Sequence, residues 1–371
     1  MIKVGVTGSN GFIGWHLCRI LELNNTKFEL IEFNRQWFNE SSKLDYFVLK
    51  CDVIVHLAGL NRHSDDTAIY NTNVGLAEKL VESFKRTYFK GQLIFSSSIQ
   101  EERNNTFGNS KKVVRELFTN WENFSEGKFQ GLIIPNVFGA FGVPFYNSVI
   151  STFCHQLVNN ENPIIQTDAS LDLIYINDLI KRILDLFGTD THACINVEHT
   201  NSYKVSEILD LLIKFKTKYL ENSQIPNFSN SFEINLFNTF RTYFNFNNHY
   251  PIKYINNIDE RGNFVEIIRL ETGGQVSFST TKPGITRGNH FHTRKIERFS
   301  IIKGKALIQL RKIGTTEVFN YYLSGEEPAY VDIPIWYTHN IANIGEEELY
   351  TIFWINEFYD VNDPDTFFEN V

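Results

Sequence analysis

Ile2-Lys3-Val4-Gly5-Val6-Thr7-Gly8-Ser9-Asn10-Gly11-Phe12-Ile13-Gly14 decides the fold of the first half of the chain. The β-branched run Ile2 to Thr7 reads as a strand and Phe12 to Leu23 as a helix, with a TGxxGxxG turn between them. In such a turn Gly8 and Gly11 let the backbone bend tightly and approach a pyrophosphate. Gly14 permits close helix–strand packing, and the helix N-terminus adds partial positive charge. A glycine-rich stretch alone is an ordinary tight turn. The strand before it and the helix after it supply the context of a dinucleotide cradle, lined by Gly8, Asn10, Gly11, Phe12, Ile13 and Gly14.

Outward from this stretch, Phe28 to Phe33, Val53 to Leu57 and Leu93 to Ser96 read as further strands separated by helical patterns. That βαβα order predicts a Rossmann-like, doubly wound parallel sheet, because parallel strands need helical crossovers. Val205 to Leu220 reads as the last substantial helix, with Ile208, Leu211, Leu212 and Phe215 at helical spacing. An aromatic and Asn-rich connection, Phe237 to Tyr250, follows. Beyond it come short strands at Gln275–Ser279, Phe299–Ile302, Ala306–Leu310, Tyr330–Ile333 and Tyr350–Trp354, which suggest an antiparallel barrel or sandwich. A chain of 371 residues exceeds one ordinary core. The expected domains are residues 1–246 and 247–371.

The formal charge of −8 and the absence of a Lys/Arg arm argue against a nucleic-acid surface. No apolar stretch is long enough for a bilayer, and no export leader precedes the first strand, so a cytoplasmic protein without a membrane anchor is expected. Cys18, Cys51, Cys154 and Cys194 lack CxxC spacing and suit reduced thiols.

After the second strand stand Asn34 and Arg35, where an NAD-specific site usually presents an acidic residue to the ribose. Arg35 is suited to pair with a 2′-phosphate, which favours NADP(H); the plain alternative is a solvated surface arginine. Besides the glycines, His56-Leu57-Ala58-Gly59, Asn71-Thr72-Asn73-Val74-Gly75 and Pro135-Asn136-Val137-Phe138-Gly139 resemble segments of the extended short-chain dehydrogenase/reductases. The resemblance implies that Leu57, Ala58 and Gly59 line the nicotinamide side. It also implies a catalytic serine at Ser98, with Ser97 close behind, although serine clusters after strands are common turn formers too. The family's YxxxK pair falls on Phe107-Gly108-Asn109-Ser110-Lys111. Lys111 is retained to bind the cofactor ribose, and Phe107 stands where the catalytic tyrosine should be. Cofactor binding is expected; the phenol that passes a proton to a carbonyl oxygen is missing.

In the second half Gly284, His290-Phe291-His292, Glu297 and Gly304 resemble the first cupin motif at every spacing. Pro334 to His339 with Asn343 resembles the second. Two histidines two apart on a strand share a face, so His290, His292, Glu297 and His339 make a candidate divalent-metal site inside a barrel. The set suits zinc, manganese, iron or nickel, with zinc the expectation. Trp336 replaces the motif's glycine, and its ring is expected to narrow the pocket or touch a sugar. Asp259-Glu260-Arg261-Gly262-Asn263-Phe264 resembles the strand entry of cupin-fold sugar epimerases, or is a plain turn.

The two halves in this order resemble the bifunctional capsular-polysaccharide enzymes of the CapF type, also called WbjC or FnlB. Phe145 to Ile150, Lys282 to Thr286, Tyr337 to Ile341 and Asn362-Asp363-Pro364-Asp365-Thr366-Phe367 add to the likeness. It implies a homodimer acting on a UDP-linked 4-keto-6-deoxy-N-acetylhexosamine. The cupin barrel would epimerise C3, with a metal-bound hydroxide or a neighbour such as Tyr337 as candidates to move the proton, and the first domain would reduce C4 on the route to UDP-N-acetyl-L-fucosamine. Two other readings stand beside it. One is an epimerase whose first domain binds NADP(H) without reducing; the other is a non-catalytic sensor of NADP and sugar nucleotide.

Overall fold

The computed structural model describes residues 1–189, 193–259, 262–265 and 267–371. They form two compact units: Met1–Thr152 with Ile165–Ser206, and Phe153–Ile164 with Glu207–Val371. No described helix is long and apolar enough to cross a membrane.

In the first unit β1 (Ile2–Thr7), β2 (Phe28–Ile31), β3 (Val53–His56), β4 (Gln92–Ser98), β5 (Lys128–Ile134) and β6 (Ala193–Asn196) build one sheet in the order β2-β1-β3-β4-β5-β6. Every pairing in it is parallel. The strand order reverses beside β1, the place where open α/β sheets bind ligands. Helices α1 (Phe12–Leu23), α2 (Ser41–Lys50), α3 (Asp66–Thr87) and α4 (Thr106–Asn123) provide the crossovers. Phe47, Leu80, Phe84 and Phe118 are 0–1% exposed and pack with Leu93 and Phe95 of β4 into one apolar core. That burial locks the register of β4 and so fixes where its carboxyl end emerges.

The second unit holds two antiparallel five-stranded sheets. In chain order the strands are β7 (Ile252–Lys253), β8 (Gln275–Thr281), β9 (Thr286–Phe291), β10 (Glu297–Lys303), β11 (Lys305–Lys312), β12 (Val318–Ser324), β13 (Ala329–Ile333), β14 (Tyr337–Asn343), β15 (Leu349–Ile355) and β16 (Phe367–Phe368). One sheet runs β7-β13-β10-β15-β8 and the other β12-β11-β14-β9-β16. This is the antiparallel architecture expected from the short strands, and the cupin-like β domain that the His and Glu motifs implied.

Val205–Phe215 is not the last substantial helix. Ser231–Arg241 follows it and runs into the stretch Phe237 to Tyr250 read as a connection. Phe232, Leu236, Phe237 and Phe240 lie at helical spacing and are 0–1% exposed, so tertiary burial overrides the modest propensity of an Asn- and Phe-rich segment. Asn230 Oδ1 caps the helix by accepting from Glu233 N at 3.0 Å, and Glu233 Oε2 accepts from Ser229 N at 3.2 Å. Residues 207–246 group with the second unit. There Asn238 Nδ2 donates to Arg294 O at 2.9 Å and Arg241 Nη2 to Ile333 O at 2.8 Å.

Candidate functional site

The cradle forms as its glycines require. Gly8 has φ +78°, and a Cβ there would stand 2.6 Å from Ala58 N; a Cβ on Gly14 would stand 2.1 Å from Gly8 O. Gly11 N donates to Gly8 O at 2.9 Å, closing the turn into α1. No side chain caps that helix end, which leaves its first amides to a ligand. Asn10 and Gly11 are exposed, Phe12 and Ile13 half-buried. Behind the turn Thr7 Oγ1 and His56 Nδ1 are 2.7 Å apart, and burial, reinforced by Lys111, depresses the His56 ring to about 3. It is neutral at physiological pH.

Leu57, Ala58 and Gly59 continue from β3 beside the cradle, with Gly59 against both Asn73 and Lys111. Asn73 clamps this corner: its Oδ1 accepts from Leu60 N at 2.6 Å, and its Nδ2 donates to Leu60 O at 3.0 Å and to Ser110 Oγ at 2.9 Å. Asn105 Oδ1 caps α4 through Gly108 N at 2.7 Å. Four residues apart, Phe107 and Lys111 share one face of that helix. Lys111 is buried, and its Nζ donates to Ser96 O at 2.8 Å and lies 4.7 Å from the Phe95 ring centre. Burial pushes the ammonium down to about 8, against the pull of Glu101. Ser98 Oγ accepts from Gln100 N at 3.2 Å, the turn-forming role open to it, while its half-buried position also leaves it at the end of β4. Ser97 Oγ donates to Glu101 Oε1, and Glu101 pairs with Arg115 at 2.8 Å. Asn34 and Arg35 are exposed where the chain leaves β2. Asn34 Oδ1 accepts from Gln36 N, which starts the 3-10 turn that presents Arg35.

In the second unit His290, His292, Glu297 and His339 converge, with all four ligand atoms within 4.8 Å of one another. His290 on β9 pairs with His339 on β14, and the register shift between Gly288 and His290 aims the strand end. Glu297 opens β10 of the opposite sheet, so the two sheets face each other across the cluster. Glu297 Oε2 lies 3.0 Å from His292 Nε2 and 3.3 Å from His339 Nε2. These three atoms are buried without a hydrogen-bond partner, an expensive arrangement that a bound cation relieves. Three imidazoles and a carboxylate fit a divalent transition metal, and burial depresses the His290 ring to about 4, with His339 and His292 adding to it. Burial opposes ionisation of Glu297, but the neighbouring histidines hold its carboxyl well below the usual range. These shifts keep His290 and Glu297 in their metal-binding forms, whereas His292, although burial opposes it, is drawn upward by the Glu297 carboxylate and the Asp365 carbonyl.

Two neighbours of the cluster, Trp336 and Tyr337, are both buried. Trp336 is wholly buried and stacks on Phe291 with ring centres 5.6 Å apart, so its ring packs in the core. Its backbone is left-handed, φ +63°, which explains why the motif usually has glycine there. Tyr337 packs on Phe246 at 4.9 Å, and burial pushes its phenol far up, which suits a donor rather than a base. Glu260 and Arg261 of the strand-entry motif lie outside the described residues; Gly262–Val265 pairs with Asn256–Asp259 as a hairpin. Sequence reasoning missed Asn73 as a clamp, Glu101, and Asp365, whose carbonyl oxygen accepts from His292 Nδ1. Asn73 and Asp365 lay in motifs quoted only for their likeness.

Residues 4–193 match the NAD dependent epimerase/dehydratase family, and residues 257–367 match the polysaccharide biosynthesis C-terminal domain. The UDP-2-acetamido-2,6-beta-L-arabino-hexul-4-ose reductase of Pseudomonas aeruginosa is 30% identical over 375 residues, 99% of this chain and 98% of that protein. The crystal structure of the capsular polysaccharide assembling protein CapF from Staphylococcus aureus is 35% identical, covers 100% of both chains and superposes with a TM-score of 0.63. RMD from Pseudomonas aeruginosa, solved with NADPH, shares the fold at 20% identity, covering 58% of this chain and 82% of its own, with a TM-score of 0.53. The chain belongs to the NAD dependent epimerase/dehydratase family. Within it, this is a capsule polysaccharide enzyme of the CapF type, of the sugar-nucleotide reductase and epimerase kind.

Proposed function

We propose that the chain acts on a UDP-linked 2-acetamido-2,6-dideoxy-4-hexulose, with the cupin domain epimerising C3 and the first domain binding NADP(H) for reduction at C4. The observation that carries the reading is the cluster of His290, His292, Glu297 and His339 with three buried, unpartnered ligand atoms. A divalent ion bound there supplies positive charge for the ketone oxygen that turns negative when C3 loses its proton. Glu297 would offset part of that charge, and His290, His292 and His339 would hold the ion. The relative from Pseudomonas aeruginosa, whose name specifies a hexul-4-ose reductase, supports the substrate class.

In the first unit Gly8, Gly11 and Gly14 make room for the pyrophosphate, Arg35 meets the 2′-phosphate, and Lys111 holds the ribose. When bound, NADPH supplies the hydride. Ser98 hydrogen-bonds the ketone oxygen, but Phe107 offers it no proton. This favours a second reading of the same chain: an epimerase whose C4 reduction is slow. The resemblance further implies a homodimer.

The test is incubation of the metal-loaded protein with the 4-keto sugar nucleotide in deuterated buffer, with and without NADPH. Deuterium entering C3 without NADPH supports the epimerase. Neither exchange nor NADPH loss would reduce the protein to a sensor.

A further inference from the structure

The segment Asp363–Val371 is stitched onto the strand that carries the metal ligands. Phe367 and Phe368 pair with Phe291 and His290, and the Phe291 and Phe367 rings lie 5.4 Å apart. Glu369 N donates to Asn289 O at 2.9 Å. At the centre stands Asp365, 3% exposed and left-handed at φ +38°. Its carboxylate accepts from the backbone amides of Thr293 at 3.1 Å, Arg294 at 3.0 Å and Lys295 at 3.2 Å, and from the Thr293 hydroxyl at 2.7 Å. Its backbone carbonyl meets Nδ1 of His292.

We propose that Asp365 is a positioning residue for the metal centre: its carboxylate ties down the turn Thr293–Lys295, and its carbonyl holds His292 with the proton on Nδ1 and the Nε2 lone pair facing Glu297. The inference rests on reading the four-ligand cluster as a divalent-metal site. A ligating imidazole needs its second nitrogen to donate to a fixed acceptor, because the other tautomer puts a proton where the metal must bind. Four bonds to one carboxylate also keep Asp365 in a backbone conformation that a non-glycine residue otherwise leaves.

The experiment compares the full-length chain with Asp365→Asn and Asp365→Ala. Each is stripped with chelator and titrated with zinc against a chromophoric competitor, and proton–nitrogen correlation NMR of the metal-free protein reads the His292 tautomer. We expect Asp365→Ala to weaken zinc binding about 10- to 100-fold and to mix the tautomers. Asp365→Asn, which keeps one acceptor oxygen, falls between and serves if the alanine variant does not fold. Unchanged zinc affinity with an unchanged tautomer in a folded variant overturns the proposal. A wild-type protein that takes up no zinc sinks the metal reading instead, and the tautomer comparison still decides whether Asp365 orients His292.

Discussion

Lys111 Nζ lies 5.6 Å from the centre of the Phe107 ring, with its hydrogen bond directed to Ser96 O at 2.8 Å. One turn of α4 therefore places an ammonium beside a ring that has no hydroxyl for it to polarise. In a working pair the cation lowers the pKa of the phenol and so makes it a better donor. Here the cation remains and the group it served is gone.

The first expected outcome concerns Lys111 itself. Its folded-state pKa is depressed to about 8 from an ordinary 10.5, so the buried charge penalises folding at neutral pH. Between those values the unfolded chain still holds the proton and the folded one has released it, so this group's contribution to stability rises with pH. The stability of Lys111→Met relative to wild type should therefore shrink across that window, by about 1 to 3 kcal/mol. Urea unfolding in a pH series measures it. A difference that stays flat from pH 8 to 10.5 means that Lys111 titrates as in water.

Arg35 gives a second. It is exposed at the end of β2, free to meet a 2′-phosphate that only NADPH carries. We expect tighter binding of NADPH than NADH, and Arg35→Ala should narrow the gap by about 1.5 to 3 kcal/mol, the worth of a charge-assisted hydrogen bond. Calorimetry with both cofactors decides it; equal affinities in wild type would leave Arg35 as a solvated side chain.

For the metal centre we expect one divalent ion per chain by elemental analysis. Loss of that ion in His290→Ala or His339→Ala should leave NADPH affinity unchanged, since the cradle is built from the other unit. Metal content near zero after reconstitution, or nucleotide affinity lost along with the histidines, contradicts this.

Local signals carried most of the fold. Ile2–Thr7 and Phe12–Leu23 were legible because β-branched run, glycine turn and helical spacing all agree over a short stretch. The convergence of His290, His292, Glu297 and His339 was legible because their spacing follows strand periodicity and turn length. Hydrophobic pattern alone did not mark the strands that bear them: Thr-Arg-Gly-Asn-His-Phe at 286–291 and Tyr-Thr-His-Asn-Ile-Ala-Asn at 337–343 are largely polar, though most of the second is buried. Helix Ser231–Arg241 was hidden by its Asn and Phe content, although Asn230 and Glu233 spell a capping box. The burial of the Trp336 ring was not legible, because side-chain bulk says nothing of the left-handed backbone on which it sits.

On the proposed reading the cupin half depends on a divalent ion, and the reductive half lacks its tyrosine proton donor because Phe107 stands in that place. Single-turnover oxidation of NADPH with the UDP-linked 4-keto sugar tests it most directly, in wild type and in Phe107→Tyr. A positioned general acid contributes about a hundred- to ten-thousand-fold, roughly 3 to 5 kcal/mol of barrier. We expect slow oxidation in wild type and an acceleration toward that range in Phe107→Tyr, with Lys111 and Ser98 already in place. Fast wild-type oxidation that Phe107→Tyr does not improve would contradict the account, because another group would then be donating the proton.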